Sequence, residues 1–190
     1  MTSHRTFVLS VALAAAGSSA SAQSAGSPAP APAQPAPTVK KPCALAESRQ
    51  FDFWIGDWDV IGAAGKQAGT NLIRPILGGC VLQESWKGAG NNIGESFNIY
   101  DATRKVWHQS WVDNGGNLLQ MDGKFENGSM MMSDRNLPGK TEPNLINEVI
   151  WTPNSDGSVR QHWRMSKDGG KTWQTVFDGK YVRSSRPQPK

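Results

Sequence analysis

Lys105-Val106-Trp107-His108-Gln109-Ser110-Trp111-Val112-Asp113, then Asn114-Gly115-Gly116-Asn117, then Leu118-Leu119-Gln120-Met121, is the run whose reading decides the fold. Lys105, Trp107, Gln109, Trp111 and Asp113 alternate with Val106, His108, Ser110 and Val112, the period of two that sends successive side chains to opposite faces of a strand. Asn and Gly tolerate the positive φ of a tight reversal. The four residues after Asp113 therefore predict a hairpin, with Leu118 to Met121 as its return strand.

The same rhythm extends in both directions. Toward the N-terminus, Gly94 to Tyr100, Cys80 to Trp86 and Thr70 to Leu77 read as strands separated by Gly88 to Asn92 and by Gly78-Gly79. Pro75 lacks an amide donor, so its strand must lie at an edge, bulge or end there. Toward the C-terminus, Lys124-Phe125-Glu126 follows Asp122-Gly123, and Asn127-Gly128 turns the chain into Ser129 to Met132. After a longer loop come Leu145 to Trp151, Ser158 to Met165, and a last strand pair in which Asp178-Gly179 separates Lys171 to Phe177 from Tyr181-Val182. About ten short strands result, with no amphipathic helix of more than two turns between them. This pattern predicts an all-β fold, an antiparallel up-and-down β-barrel of about 8–10 strands. A sandwich is the alternative, but sequential hairpins favour closure, which leaves no exposed edge.

Phe51-Asp52-Phe53-Trp54-Ile55-Gly56-Asp57-Trp58-Asp59-Val60 opens the folded part with four aromatic residues in eight positions. Its alternation suits a strand throughout, while Asp52 and Gly56 equally allow a short turn or plug helix before the strand. The first role expected of it is an aromatic lid over one barrel end, the second a stacking platform for a ligand.

Residues 1–22 read as a secretory signal peptide: a basic start at Arg5, an apolar run from Thr6 to Gly17, and small residues at Ala20-Ser21-Ala22. That run is too short and Ala-rich for a membrane anchor. Residues 23–42, rich in Pro, Ala and Ser, are expected to form a disordered linker, residues 43–182 a single barrel domain, and residues 183–190 a disordered basic tail. Periplasmic or secreted localisation follows, without an integral membrane segment once the signal is removed. The formal charge of +4 belongs to the ends: from Arg49 to Val182 there are 14 basic and 15 acidic side chains. Arg104-Lys105 is the only adjacent basic pair in that part and stands near the acidic Asp101, so no nucleic-acid partner is expected. Cys43 and Cys80, the two cysteines of an exported chain, are expected to form a disulfide.

Several motifs invite chemistry and are discounted. Met130-Met131-Met132 suggests copper or heme, yet strand alternation puts Met131 opposite the other two, and filling of a core or cavity wall fits better. His108 and His162 lack the further ligands zinc needs, so no metal is assigned. Ser166, Asp168, Gly170, Thr172 and Trp173 match the Asp-box pattern of sialidases and other propellers, read here as a hairpin clip. One copy cannot make a propeller.

The opening segment, with Gly78-Gly79-Cys80 and an acidic residue before Trp86, resembles a family of small exported bacterial proteins of unknown function whose mature domains begin with a Phe-Asp-Phe-Trp-Ile-Gly-Asp-Trp type of sequence. The likeness spans Phe51 to about Val182 and is distinctive only in its first ten residues and from Leu77 to Trp86. It implies a lipocalin-like or fatty-acid-binding-protein-like barrel and carries over no catalytic residue. Heme-binding nitrobindin barrels resemble it more loosely, through Gly56-Asp57-Trp58, without a motif-secured proximal histidine, and no cofactor is assigned.

A barrel whose strands mix aromatic and polar residues is expected to bind a small hydrophobic or amphipathic molecule in its interior. Trp58, Trp86, Trp107 and Trp111 are the candidate wall contacts, with Glu84, His108 and Glu148 as candidate polar contacts. The alternatives are a barrel-cavity enzyme (isomerase, cyclase or hydrolase), which needs His108 or a strand Glu in the pocket beside a partner, and a structural or protein-interaction module.

Overall fold

The computed structural model describes residues 43–186; the expected signal peptide, the linker and the end of the basic tail lie outside them. Ten strands follow in order: β1 Gly56–Gly62, β2 Gln67–Ile76, β3 Val81–Gly88, β4 Ile93–Asp101, β5 Val106–Asp113, β6 Leu118–Glu126, β7 Ser129–Ser133, β8 Ile146–Pro153, β9 Val159–Ser166 and β10 Gln174–Arg183. Each pairs antiparallel with the next, and β10 returns to β1, so the meander closes into a barrel. Among the described residues no helix is long and apolar enough to cross a membrane.

The β5–β6 hairpin forms as its turn chemistry dictates. The Asp113 carboxylate accepts the amides of Gly115 and Asn117 and the Asn117 side chain, and Gly116 takes the positive φ. Pro75 lies where the sequence requires: pairing of β2 with β1 begins at Ile73 and moves away from it, so Pro75 has a ladder only toward Leu82 of β3.

Two expected breaks are absent. Asp122-Gly123 and Asp178-Gly179 both lie inside continuous strands. Asp122 pairs with His108 on one side and Ser133 on the other, and Asp178 pairs with His162 while Gly179 meets Gly62. Ladders on both sides override the turn preference of the dipeptide. The chain boundary at Val182 also moves. Arg183 belongs to β10, and its guanidinium stacks 3.9 Å over the Trp58 ring. Arg186 pairs with Asp57 and Asp59 of β1, so contacts with the barrel continue past the end of β10 to Arg186.

Phe51 to Val60 turns out to be both plug and strand. Asp52–Trp54 is one turn of 3-10 helix and β1 starts two residues later. The turn places Phe51 and Trp54, both fully buried, across one barrel end, stacked with ring centroids 4.8 Å apart. Phe51 also meets Trp107 and Trp151 edge-on. Met130 and Met132 are buried in this half and Met131 faces the other way.

Cys43 and Cys80 form the disulfide, with Cα atoms 5.3 Å apart. It fastens the segment ahead of the plug to the β2–β3 connection. Closing a separation of 37 residues restricts the unfolded chain, so replacing both cysteines by Ser is expected to cost about 2–4 kcal/mol. Urea denaturation of the oxidised protein and the double variant measures it; superimposable curves would remove the disulfide from the account of stability.

Candidate functional site

The alternation of β5 carries Trp107, Gln109, Trp111 and Asp113 inward, and closure of the barrel fixes the same parity on every neighbour. Near the plug the inward side chains pack solidly. Toward the opposite end, where β3 meets β4, β5 meets β6 and β9 meets β10, they leave a cavity of about 490 Å³. Trp86, Trp111, Trp163, Phe177, Leu119 and Val149 form its apolar wall; Glu84, Gln109, Gln161 and Tyr181 lie deeper; Asn92, Asp113 and Asn117 edge the mouth.

The wall is held in place. The Trp86 indole donates to Asn92 Oδ1 at 3.0 Å and the Trp163 indole to Asn147 Oδ1 at 3.0 Å. Asn147 is in turn fixed by the buried Asp134, which accepts both its amide and its side chain at 2.8 Å. Glycines let two rings lie flat against the wall. A Cβ at Gly94 would sit 2.1 Å from the Trp111 ring, and one at Gly69 2.7 Å from the Trp86 ring. Gly94→Ala is expected to push Trp111 into the cavity at a net cost of about 1–2 kcal/mol, the overpacking offset in part by the stiffer unfolded chain. Thermal denaturation and near-ultraviolet circular dichroism check this; an unchanged aromatic spectrum would show that Trp111 is not seated on Gly94.

The deep end is a connected polar network. Glu84, 4% exposed, accepts Asn71 Nδ2 at 2.7 Å on one oxygen and the Ser96 hydroxyl at 2.6 Å on the other. Behind Ser96, Asn98 donates to its Oγ at 2.9 Å and Gln109 donates to Asn98 Oδ1 at 2.8 Å. Asn71 Nδ2 also reaches the Tyr181 oxygen at 3.2 Å, and Tyr181 donates to Gln161. Burial pushes the Glu84 carboxyl up to about 7, against the opposing hydrogen bonds of Ser96 and Asn71. Burial first, and the neighbouring Glu84 second, raise the Tyr181 hydroxyl well above its ordinary value.

Of the seven residues singled out from the sequence, Trp86, Trp111 and Glu84 line the cavity. Trp58 and Trp107 face inward but are locked in the packed half: Trp58 donates to the Trp54 carbonyl at 2.8 Å, and Trp107 lies against Phe51 and Tyr100. His108 and Glu148 do not line the cavity. Both sit one residue out of phase with the inward set and find partners on the outer surface, His108 with Asp122 at 2.7 Å and Glu148 with Arg164. His162 is likewise outward, 3.1 Å from Thr175.

Tyr181, Gln109, Gln161, Trp163 and Phe177 were missed. Phase alone finds Gln109, between Trp107 and Trp111, and Gln161, two residues from Trp163, once one inward residue is known.

At the β9–β10 turn, Asp168 accepts the amides of Lys171 and Thr172 at 2.9 Å each, and Ser166 Oγ accepts the Gly170 amide at 2.8 Å. The Thr172 hydroxyl, then its amide, hold the Asp168 carboxyl far below the ordinary carboxylate range. Trp173, next in the chain, receives the Arg164 guanidinium 4.4 Å above its ring.

These features define the class: a closed, ten-stranded, up-and-down antiparallel barrel of lipocalin and fatty-acid-binding-protein-like topology, plugged at one end, with an aromatic cavity at the other. No family model matches the chain, and no curated protein matches it. Among the described residues no group of three or more His, Cys, Asp or Glu is placed to hold a metal ion.

Proposed function

We propose that this is an exported binding protein that carries or senses a small hydrophobic or amphipathic molecule inside its barrel. The observation that supports this best is the contrast between the two ends: one is filled by Phe51 and Trp54, while the other keeps about 490 Å³ of space walled by indole and phenyl rings, a size and lining suited to a small ligand. Export rests on the N-terminal sequence, and cell fractionation tests it separately.

Native mass spectrometry of protein purified from the periplasm, followed by extraction of the bound molecule, tests the binding reading. A reproducible small-molecule adduct is expected. Trp111→Ala should weaken its retention at least tenfold, because the ring supplies a large share of the contact area. A ligand-free protein whose tryptophan fluorescence answers no member of a panel of small apolar compounds would sink the reading.

One observation favours a second reading, proton-transfer catalysis: Glu84 lies in the cavity within hydrogen-bond reach of partners, and its carboxyl is raised to about 7, the range of an effective general base. A 5-nitrobenzisoxazole substrate, whose ring opens when a base removes its C–H proton, reports this directly. Catalysis above buffer that disappears in Glu84→Gln would support an enzyme; rates equal to buffer would leave binding alone.

A further inference from the structure

We propose, building on the cavity reading above, that the molecule held in this barrel is an amine: a protonated ammonium group set at Glu84, on an aromatic or aliphatic body lying among the wall tryptophans. If the barrel binds no small molecule, this proposal fails with it.

The charge of the lining comes first. Glu84 and Asp113 line the cavity, and among the described residues no lysine, arginine or histidine does. A carboxylate ligand such as a fatty acid is ordinarily received by a base through charge-assisted hydrogen bonds; here it would meet two carboxylates instead. Glu84, moreover, is buried without a counter-ion. Its two oxygens are held by the neutral side chains of Asn71 and Ser96, and among the described residues no cation pairs with it. A buried carboxylate without an opposite charge is costly, and a ligand ammonium is the group that relieves the cost.

The hydrogen-bond inventory points the same way. Asn71 directs its Nδ2 to Glu84 and Tyr181, and its Oδ1 is buried with no partner. Tyr181 gives its one proton to Gln161, so its oxygen offers only lone pairs to a ligand. Glu84 and the Tyr181 oxygen, both in the lining, present acceptors, and Asn71 Oδ1, behind the lining, is a further acceptor without a partner. An ammonium presents donors and no acceptor, whereas a neutral hydroxyl brings a single donor. The faces of Trp86, Trp111 and Trp163 add attraction for a cation.

The sign of the pH dependence follows. The other titratable groups facing Glu84 are Tyr181, which stays protonated, and Asp113 at the mouth, whose hydrogen bonds from Asn117 hold it ionised; Glu95, on the outer face of β4, adds like charge. An ammonium binds the ionised Glu84. With that carboxyl at about 7 in the free protein, affinity should rise toward pH 8 and fall about tenfold per unit below 7.

Calorimetric titration with 1-naphthylmethylamine, 1-naphthylmethanol and 1-naphthoate, three ligands of nearly one shape, tests the proposal. At pH 8 the amine is expected to bind at least tenfold more tightly than the alcohol, with the carboxylate weakest. At pH 5.5 the amine should lose at least tenfold while the alcohol changes little. Glu84→Gln should erase the preference for the amine over the alcohol and its pH dependence, and Glu84→Asp, which retains the charge, should restore part of both. Equal binding of amine and alcohol, or tighter binding of the carboxylate, overturns the amine proposal and leaves the cavity reading standing. Binding of none of the three at millimolar concentration overturns both.

Discussion

Trp54→Ala is expected to lower the free energy of unfolding by about 3–5 kcal/mol, the range for deleting a fully buried large aromatic side chain. Trp54 has no exposed surface, stacks on Phe51 at 4.8 Å, and meets Trp151 at 5.4 Å and Tyr181 at 6.4 Å. Its removal leaves a void that its neighbours fill poorly, since they belong to β8, β10 and the plug itself and are held by the ladder. The hydrogen bond to the Trp58 indole survives, because it is the Trp54 backbone carbonyl that accepts it.

Trp54→Phe separates packing from polarity. The Trp54 indole N–H is buried without a partner, and an unsatisfied donor costs about 1–3 kcal/mol. Phenylalanine keeps much of the contact and removes that donor, so its cost should be below about 2 kcal/mol. Urea denaturation followed by circular dichroism measures both variants. A loss under about 1 kcal/mol for the alanine variant would mean that the plug is not part of the core.

The second large effect is read in pH. The Glu84 carboxyl goes from an ordinary 4.5 in the unfolded chain to about 7 in the barrel. With the folded value raised, the stability this group contributes is fully present below about 4.5 and is lost as pH rises through about 7. Across that window the unfolded chain has released a proton that the barrel still holds, and each pH unit costs the folded state about 1.4 kcal/mol. Between pH 5 and pH 8 the native protein should therefore lose about 2–3 kcal/mol through Glu84 alone. Glu84→Gln cannot ionise and should lack this slope.

The variant disturbs the hydrogen bonds from Asn71 and Ser96, so its absolute stability at one pH is not diagnostic. The difference between the native and variant proteins, followed from pH 5 to pH 8 by chemical denaturation, isolates the ionisation. Two parallel profiles would show that Glu84 titrates as though solvated, and the polar floor would lose its role as a source of charge for a ligand.

The site was legible in part, and the division follows geometry. Glu84, Trp86 and Trp111 belong to strands whose alternation is plain in the sequence. His108 lies in the same clear alternation as Trp111 but on its other face, and nothing local distinguishes the faces, since Val106 and Val112 are as apolar as a core position requires. Glu148, likewise, stands between Asn147 and Val149, and its outward direction is set by the parity of the barrel and visible in its pairing with Arg164. The polar floor was least accessible. Asn71 and Tyr181 are 110 residues apart in sequence and meet within hydrogen-bond distance only because β10 closes on β1.

What the sequence by itself determined are the properties that neighbours in the chain settle among themselves. The period of two, the Asn and Gly reversals and the short spacing between strands specify an antiparallel meander, and the two cysteines of the sequence leave each other as the one disulfide partner. Only the tertiary structure decided which face of each strand is inside, because alternation sets relative phase and closure of the sheet sets its sign. Closure also turned Phe51 and Trp54 into a plug while Trp58, on β1, went into the packed half beside it. It left the remaining space beside Glu84, where burial without a counter-ion, a condition created by residues from β2, β4 and β10, gives the cavity its chemistry.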